Sequence, residues 1–543
     1  MKKLYLLIAS LSIIINSTGQ TFNGTGQSSV KQLSYNGTYF IYGVEFQDTL
    51  FVENQKYHGS VGTKNVALVA GKADGTTAWV ASFSPNASSE INIKSLVCDA
   101  SGNTYVCGQI KGTIDYSNNR SLVESFNKKA AYLAKISSTG DILWAYAVPA
   151  NSSLIETEGM GVAIIENEVF LGIKLKGGSL SLGEIQLTNP GTKTVASILK
   201  FNTLGSLISG STVLTCGNED ANLELIASNG SEIWVLGSLK KNAGILGLRT
   251  TLNISNPLSQ EIGVLGVLDK DFNALNVLNI GSSNKTKPKT LQLAGDNVFI
   301  GGEFENSFSI GEFAFENYPK KSSFLVAYKN KQVDWAWAAN SSAPNSSETK
   351  INKMAVFGDT LYVVGQFIRS IIFGENDIQR DVKSGFLLKV NTQNYQIESL
   401  TAANSISESN FESVATSNDD LIIGGNFSDN ISFDDFNIDF PENTFSRTGL
   451  GLRIKLKDDA TNFLFGNNIA NRSLAIHPNP SYNFIKVSET GNFEVLNLQG
   501  IRMNNVTYIG STENTKLDVS NLEPGVYLLK NTQNGKVQSF IKK

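Results

Sequence analysis

Only two histidines, His58 and His477, are present in this chain of 543 residues. A Ser-His-Asp triad or a histidine metal cluster in the body of the chain would therefore rest on His58 alone, because His477 lies in a C-terminal segment of different character. Its surroundings, Lys56-Tyr57-His58-Gly59-Ser60, read as a turn. No GxSxG, HExxH, CxxC, phosphate loop or complete GxGxxG occurs. Carboxylates are plentiful, and paired acids are the chemistry of glycoside cleavage. Their densest group is Asp429, Asp434, Asp435 and Asp439. It lacks the glycine and terminal glutamate of a helix–loop calcium site, so it reads as solvated turns at a sheet edge. Glu45 and Glu303 stand beside glycines as single polar residues at strand edges. These residues point to a non-catalytic protein without cofactor or metal site.

Cysteine chemistry is equally sparse. Cys98 and Cys107 flank Asp99-Ala100-Ser101-Gly102-Asn103. A three-residue turn with Gly102 left-handed pairs Asp99 with Asn103, which sets Cys98 against Thr104 and Cys107 against Ser95. That register keeps the two sulfurs apart, so Cys98, Cys107 and Cys216 all read as small buried apolar residues.

The elements that would carry any site repeat along the chain. A glycine closes a β-rich run seven times, at Gly43, Gly108, Gly172, Gly237, Gly302, Gly365 and Gly425, spaced by 65, 64, 65, 65, 63 and 60 residues. Such a period marks units that bury their faces only against their neighbours. The first half of each unit is a hairpin, as in Ile93 to Gln109. The second half is another, in the segments 65–83, 130–148, 194–213, 261–278, 322–338, 384–400 and 449–465, with Trp79, Trp144, Trp335 and Trp337 late in it. Glycine is expected where a strand kinks at a bulge or is crowded by its neighbour. Two hairpins make four strands, and four-stranded units repeated radially make a seven-bladed β-propeller over residues 20–466. Lys285-Thr286-Lys287-Pro288-Lys289, the densest basic patch, reads as a solvated loop between strands.

Asp99 to Gly108 and Lys135 to Ala145 also resemble the bacterial seven-bladed β-propeller repeat, with its Asp-x-x-Gly-Asn-x-Tyr-Val-x-Gly followed by a lysine strand, Ser-x-Gly-x and Trp-Ala. The other copies are weaker, and residues 194–290 have lost the tryptophan.

Both ends differ from the repeats. Lys2 and Lys3 precede an apolar stretch from Leu4 to Ile15, and Ser17-Thr18-Gly19 supplies small residues for cleavage after Gly19; residues 1–19 read as a signal peptide. Residues 467–472 read as a linker. Residues 473–543 alternate apolar and polar residues around Pro-Gly and Asn-Gly turns, the pattern of a small β-sandwich. This segment resembles the type A C-terminal sorting domain of the type IX secretion system through Pro478, Asn479, Pro480, Gly500, Leu517, Leu522, Pro524, Gly525, Tyr527 and Lys542. His477 stands where that family usually has an aromatic residue, and Asn497 where it has Asp. The resemblance implies export through the type IX machinery, with a secreted or outer-surface destination. Gly525 is expected to need a backbone angle that other residues resist.

A net charge of −4 and the lack of a basic block argue against nucleic acid as a partner. No later segment has the apolar run of a membrane helix. The sequence thus predicts an all-β exported binding or scaffold module. A surface adhesin for glycan or protein, or a secreted polysaccharide hydrolase or lyase, are the alternatives.

Overall fold

The computed structural model describes residues 17–455 and 476–543 apart from short internal stretches. It divides into two compact units, Met1–Asp458 and Asp459–Lys543. That division falls before the expected boundary at 466. The expected linker and residues 1–16 of the expected signal peptide lie outside the described residues. The fold is all-β: every regular element among the described residues is a strand.

Among the described residues the first unit holds seven larger antiparallel sheets, four of four strands and three in which a four-stranded set is extended to six by a short hairpin, and three smaller sheets of two or three strands. In the second of the larger sheets the order is Glu90–Cys98, Thr104–Lys111, Ala130–Ile136, Ile142–Ala147. Ala130–Ile136 is buried on both faces throughout, which is why its sequence runs apolar without alternation. Ile142–Ala147, at the outer edge, is mostly half-buried. The innermost strands are Ser28–Tyr35, Glu90–Cys98, Glu156–Ile165, Ala221–Ser228, Thr286–Ala294, Glu348–Phe357 and Ser409–Thr416. Each packs against the next, and Ser28–Tyr35 packs against Ser409–Thr416.

The seventh sheet departs from expectation. Its third strand, Thr448–Lys455, takes its outer partner from the start of the chain: Ser17–Gly24 runs antiparallel to it, with Ser17 opposite Ile454 and Phe22 opposite Gly449. The expected hairpin over 449–465 therefore does not supply that partner, and residues 456–465 lie outside the described residues. The expected cleavage after Gly19 falls inside the strand Ser17–Gly24.

In six of the seven units the length beyond four strands goes into a second, short hairpin between the second and third strands; in the sixth, those strands themselves, Thr360–Phe373 and Asn376–Asn391, run on to form it. Several of these arms reach back to the preceding sheet. Thr113–Tyr116 pairs with Thr77–Pro85 through Ile114↔Pro85, and Gly244–Leu246 with Leu207–Thr215 through Leu214↔Leu246. Thr49–Val52 meets Ser17–Gly24 through Asn23↔Phe51.

Tryptophans also fasten seams between sheets. The Trp79 indole N–H donates to the Ser138 carbonyl at 2.9 Å, and Trp144 to the Thr203 carbonyl at 3.1 Å. Each ring lies under a glycine with positive φ in the next sheet's turn, Gly140 (95°) and Gly205 (89°). Trp335 stacks on Tyr395 in the corresponding turn of the sixth sheet, with centroids 5.5 Å apart.

The second unit holds two sheets, Ile476–His477/Phe484–Val487/Thr515–Asp518/Thr507–Tyr508 and Phe493–Leu496/Gly525–Asn531/Val537–Lys542. They share one core that includes Ile485, Val495, Leu517, Leu522, Tyr527, Leu529 and Phe540.

Candidate functional site

Each of the seven innermost strands carries one extra residue, a β-bulge. The register slips around Lys31, Lys94, Met160, Glu224, Lys289, Asn352 and Glu412. Bulges re-aim side chains. The facing strand explains the glycines of the repeat. A Cβ at Gly365 would stand 2.0 Å from the Lys350 carbonyl oxygen, and one at Gly425 2.0 Å from that of Asn410. Gly108, Gly237 and Gly302 meet the matching carbonyls of Asn92, Asn222 and Lys287. Gly43 and Gly172 sit one register place away, opposite Gln32 and Gly161 on the other side of the bulge. The seven glycines are thus equivalent only to within one residue.

The bulges line a cavity of about 500 Å³ bordered by all seven innermost strands. Seven of its lining residues are charged or amide side chains at or beside a bulge: Gln32, Lys94, Glu224, Lys289, Asn352, Lys353 and Glu412. Most of this charge is paired between neighbouring sheets. Lys289 meets Glu224 at 3.1 Å, and Lys94 meets Glu158 at 3.3 Å. Glu412 Oε1 accepts from Lys31 Nζ at 2.7 Å, Ser29 Oγ at 3.2 Å, Asn410 Nδ2 at 3.0 Å and Asn426 Nδ2 at 2.8 Å. That knot joins the first and seventh sheets. Asn352 Nδ2 donates to Asn410 Oδ1 at 3.1 Å and to the Phe411 carbonyl at 2.8 Å.

Lys353 differs. It follows the bulge of the sixth strand, borders the cavity, and has no carboxylate partner among the described residues. Its side chain keeps part of its surface towards the cavity yet stands deep in protein, and that burial holds its ammonium below the usual lysine range.

Lys285-Thr286-Lys287-Pro288-Lys289 is not a loop. Thr286–Ala294 is the innermost strand of the fifth sheet, and Lys285, Lys287 and Lys289 pair with Glu305, Glu261 and Glu224. Pro288 is tolerated because this strand is a sheet edge with a bulge, where one missing N–H costs no ladder bond. His58 is exposed and ends the strand Gln55–His58 rather than a turn; its Nδ1 lies 3.2 Å from Thr49 Oγ1. Glu45 Oε1 accepts the Ile93 N–H at 3.1 Å, across to the second sheet, while Glu303 is half-buried on its strand. Asp429 lies on a bend; Asp434, Asp435 and Asp439 lie outside the described residues. Among the described residues no group of three or more potential ligands is placed to hold a metal.

The cysteine register is as the turn requires: Ser95 faces Cys107 and Cys98 faces Thr104, with the Asp99 N–H on the Asn103 carbonyl at 2.9 Å. None of the three cysteines forms a disulfide. Cys107 and Cys216 are buried; Cys98 is half-buried and its sulfur lies 3.6 Å from Thr104 Oγ1.

In the second unit Leu517 and Leu522 are core residues, and the Tyr527 hydroxyl donates to the Glu523 carbonyl at 2.9 Å. Lys542 is buried and faces Gly525. Pro524 is exposed. Gly525 does not need a special backbone angle: its φ is not positive, and a Cβ there would come no closer than 3.7 Å to Tyr527. Pro478, Asn479, Pro480 and Gly500 lie outside the described residues.

Residues 475–543 match the Secretion system C-terminal sorting domain. The match supports secretion by the type IX route, to the cell surface or the extracellular space. Among the described residues no helix is long and apolar enough to cross a membrane. No curated protein matches the chain. Among solved structures it is similar to the phage phi92 endosialidase, at 12% identity and a TM-score of 0.39, over 97% of this chain and 87% of that one. It is also similar to the plexin A4 extracellular region, at 10% identity and a TM-score of 0.41, over 96% of this chain and 52% of that one. The parainfluenza virus 5 hemagglutinin-neuraminidase ectodomain matches at 10% identity and a TM-score of 0.30, over 81% of this chain and 85% of that one.

Proposed function

We propose that the seven sheets are the blades of one closed propeller, that the two C-terminal sheets form a β-sandwich, and that the sandwich delivers the propeller to the type IX machinery. Outside the cell the propeller serves as a non-catalytic binding or scaffold module. The observation that carries the export half is the sorting-domain match, which runs to Lys543. The buried contacts of Phe540 and the pairing of Val537–Lys542 along Gly525–Asn531 make the last residues part of that domain's core. The binding half is supported by the polar cavity onto which every innermost strand opens.

Deletion of the chain from Phe540 onward tests the export half. The propeller should fold and remain in the periplasm, as read by immunoblot of cell fractions; normal levels at the surface or in the medium would defeat the assignment. A glycan-array and polysaccharide-degradation screen on the purified repeat region tests the other half. Binding without turnover is expected, and turnover would overturn the non-catalytic reading.

A further inference from the structure

We infer that the cavity between the innermost strands is a binding site for a small oxyanion, a carboxylate-, sulfate- or phosphate-bearing molecule, whose charge is received by Lys353. This deepens the reading of the repeat region as a binding module and rests on it.

Charge around the cavity is nearly, but not fully, matched. Lys31, Lys94 and Lys289 each have a carboxylate, in Glu412, Glu158 and Glu224. Lys353 has none among the described residues, so the set carries one positive charge in excess. Of the residues that follow the seven bulges, Gln32, Ser95, Leu225 and Lys353 border the cavity. Lys353 is the single ionisable group among those four.

Removing an ammonium from water without a partner costs several kcal/mol. A neighbouring sheet could have offered an acid here, as it does for the three other lysines. The space beside Lys353 is instead left open at about 500 Å³, within the usual range of small-molecule sites. An oxyanion entering it would supply the missing counter-charge. Gln32 and Ser95, which also border the cavity, carry side chains able to donate hydrogen bonds to it. Glu224 and Glu412 are held by their lysines, so their repulsion of an anion is largely neutralised.

Calorimetry on the full chain provides the test, with inorganic phosphate, inorganic sulfate and galacturonate as probes and galactose as the neutral control. At least one anion should bind and galactose should not; the three anions distinguish a free inorganic ion from a sugar acid. Lys353→Met should weaken that binding by at least about tenfold. Lys285→Met, which removes an ammonium paired with Glu305 away from the cavity, should leave it unchanged. A second readout does not depend on a variant's folding: after reductive methylation with labelled formaldehyde, the Lys353 resonance should titrate at higher pH when the anion is present. Absence of binding by all three anions, equal binding by the methionine variant, or a Lys353 titration indifferent to the anion would each overturn the site. Export is read by cell fractionation and glycan recognition by the array, so failure of the broader reading is separable from failure of this one.

Discussion

Removing Ser17–Gly24 should loosen the seventh sheet and little else at first. The strand makes six register pairs with Thr448–Lys455, from Ser17↔Ile454 to Phe22↔Gly449. An antiparallel ladder of that length carries about six backbone hydrogen bonds, together worth roughly 3–9 kcal/mol net of hydration at ~0.5–1.5 each. Ordering the segment opposes this at ~1–2 kcal/mol per residue and offsets the hydrogen-bond term, so the net effect rests on keeping water from the neighbourhood of buried Leu450 and Leu452. We expect a net destabilisation of about 1–3 kcal/mol, the ordinary size of a local loss and within reach of thermal unfolding. A chain beginning at Gln20 keeps three of the six pairs and should fall between the full strand and its deletion. Thermal melts by near-ultraviolet circular dichroism, with hydrogen exchange on the peptide spanning 448–455, would read both. Equal melting temperatures and unchanged protection of 448–455 in the deletion would refute the role given to Ser17–Gly24.

Other outcomes follow from single contacts. Gly365→Ala places a methyl 2.0 Å from the Lys350 carbonyl oxygen; with rigid backbone on both sides, chemical denaturation should show a loss of about 2–4 kcal/mol. Glu412→Gln removes the charge that Lys31 pairs with while keeping an acceptor for Ser29, Asn410 and Asn426. It should cost about 1–3 kcal/mol in the same measurement, and less in high salt. Burial depresses the folded-state pKa of Lys353, so the unfolded chain binds the proton more tightly. In anion-free buffer this group's contribution to stability should rise with pH from the depressed value up to the ordinary lysine range. Subtracting the profile of Lys353→Met should isolate that rise, and a difference that is flat or falls with pH would contradict it.

The all-β class and the sorting tail were legible because each leaves a pattern in residue type. The period of about 64 residues shows in glycine because the facing carbonyls at Asn92, Asn222, Lys287, Lys350 and Asn410 exclude any Cβ. Gly43 and Gly172 fit that spacing almost as well from the neighbouring register place, so the sequence alone aligned two of the seven one residue off. The cavity residues were missed because their types vary. A signal was nonetheless present: Glu224, Lys289, Asn352 and Glu412 all stand thirteen residues before their marker glycine. The lysines at 285, 287 and 289 misled because their partners lie 20 to 65 residues away in sequence. Ser17–Gly24 was hidden for a related reason. Its partner lies at the other end of the repeats, and its residues also suit a cleavage site.

The short arms bear on how such a molecule survives at high concentration outside the cell. The outer strand of each sheet presents a row of open N–H and C=O groups, a template on which a second molecule could add a strand. Leu143, Ile208 and Leu275, on three of these strands, add exposed apolar surface to the hazard. At Thr77–Pro85, Leu207–Thr215 and Ser17–Gly24 the next unit's arm occupies part of that row. Beside Ile142–Ala147, Arg120 from the arm Arg120–Val123 donates to the carbonyls of Ile142 and Leu143 instead. The repeat therefore carries its own guard against lateral polymerisation, three margins being shielded by the following unit's arm and that of Ile142–Ala147 by an arginine of its own unit. Shortening an arm such as Thr113–Val123 should reveal itself as concentration-dependent association, visible by light scattering, before it reveals itself as lost stability.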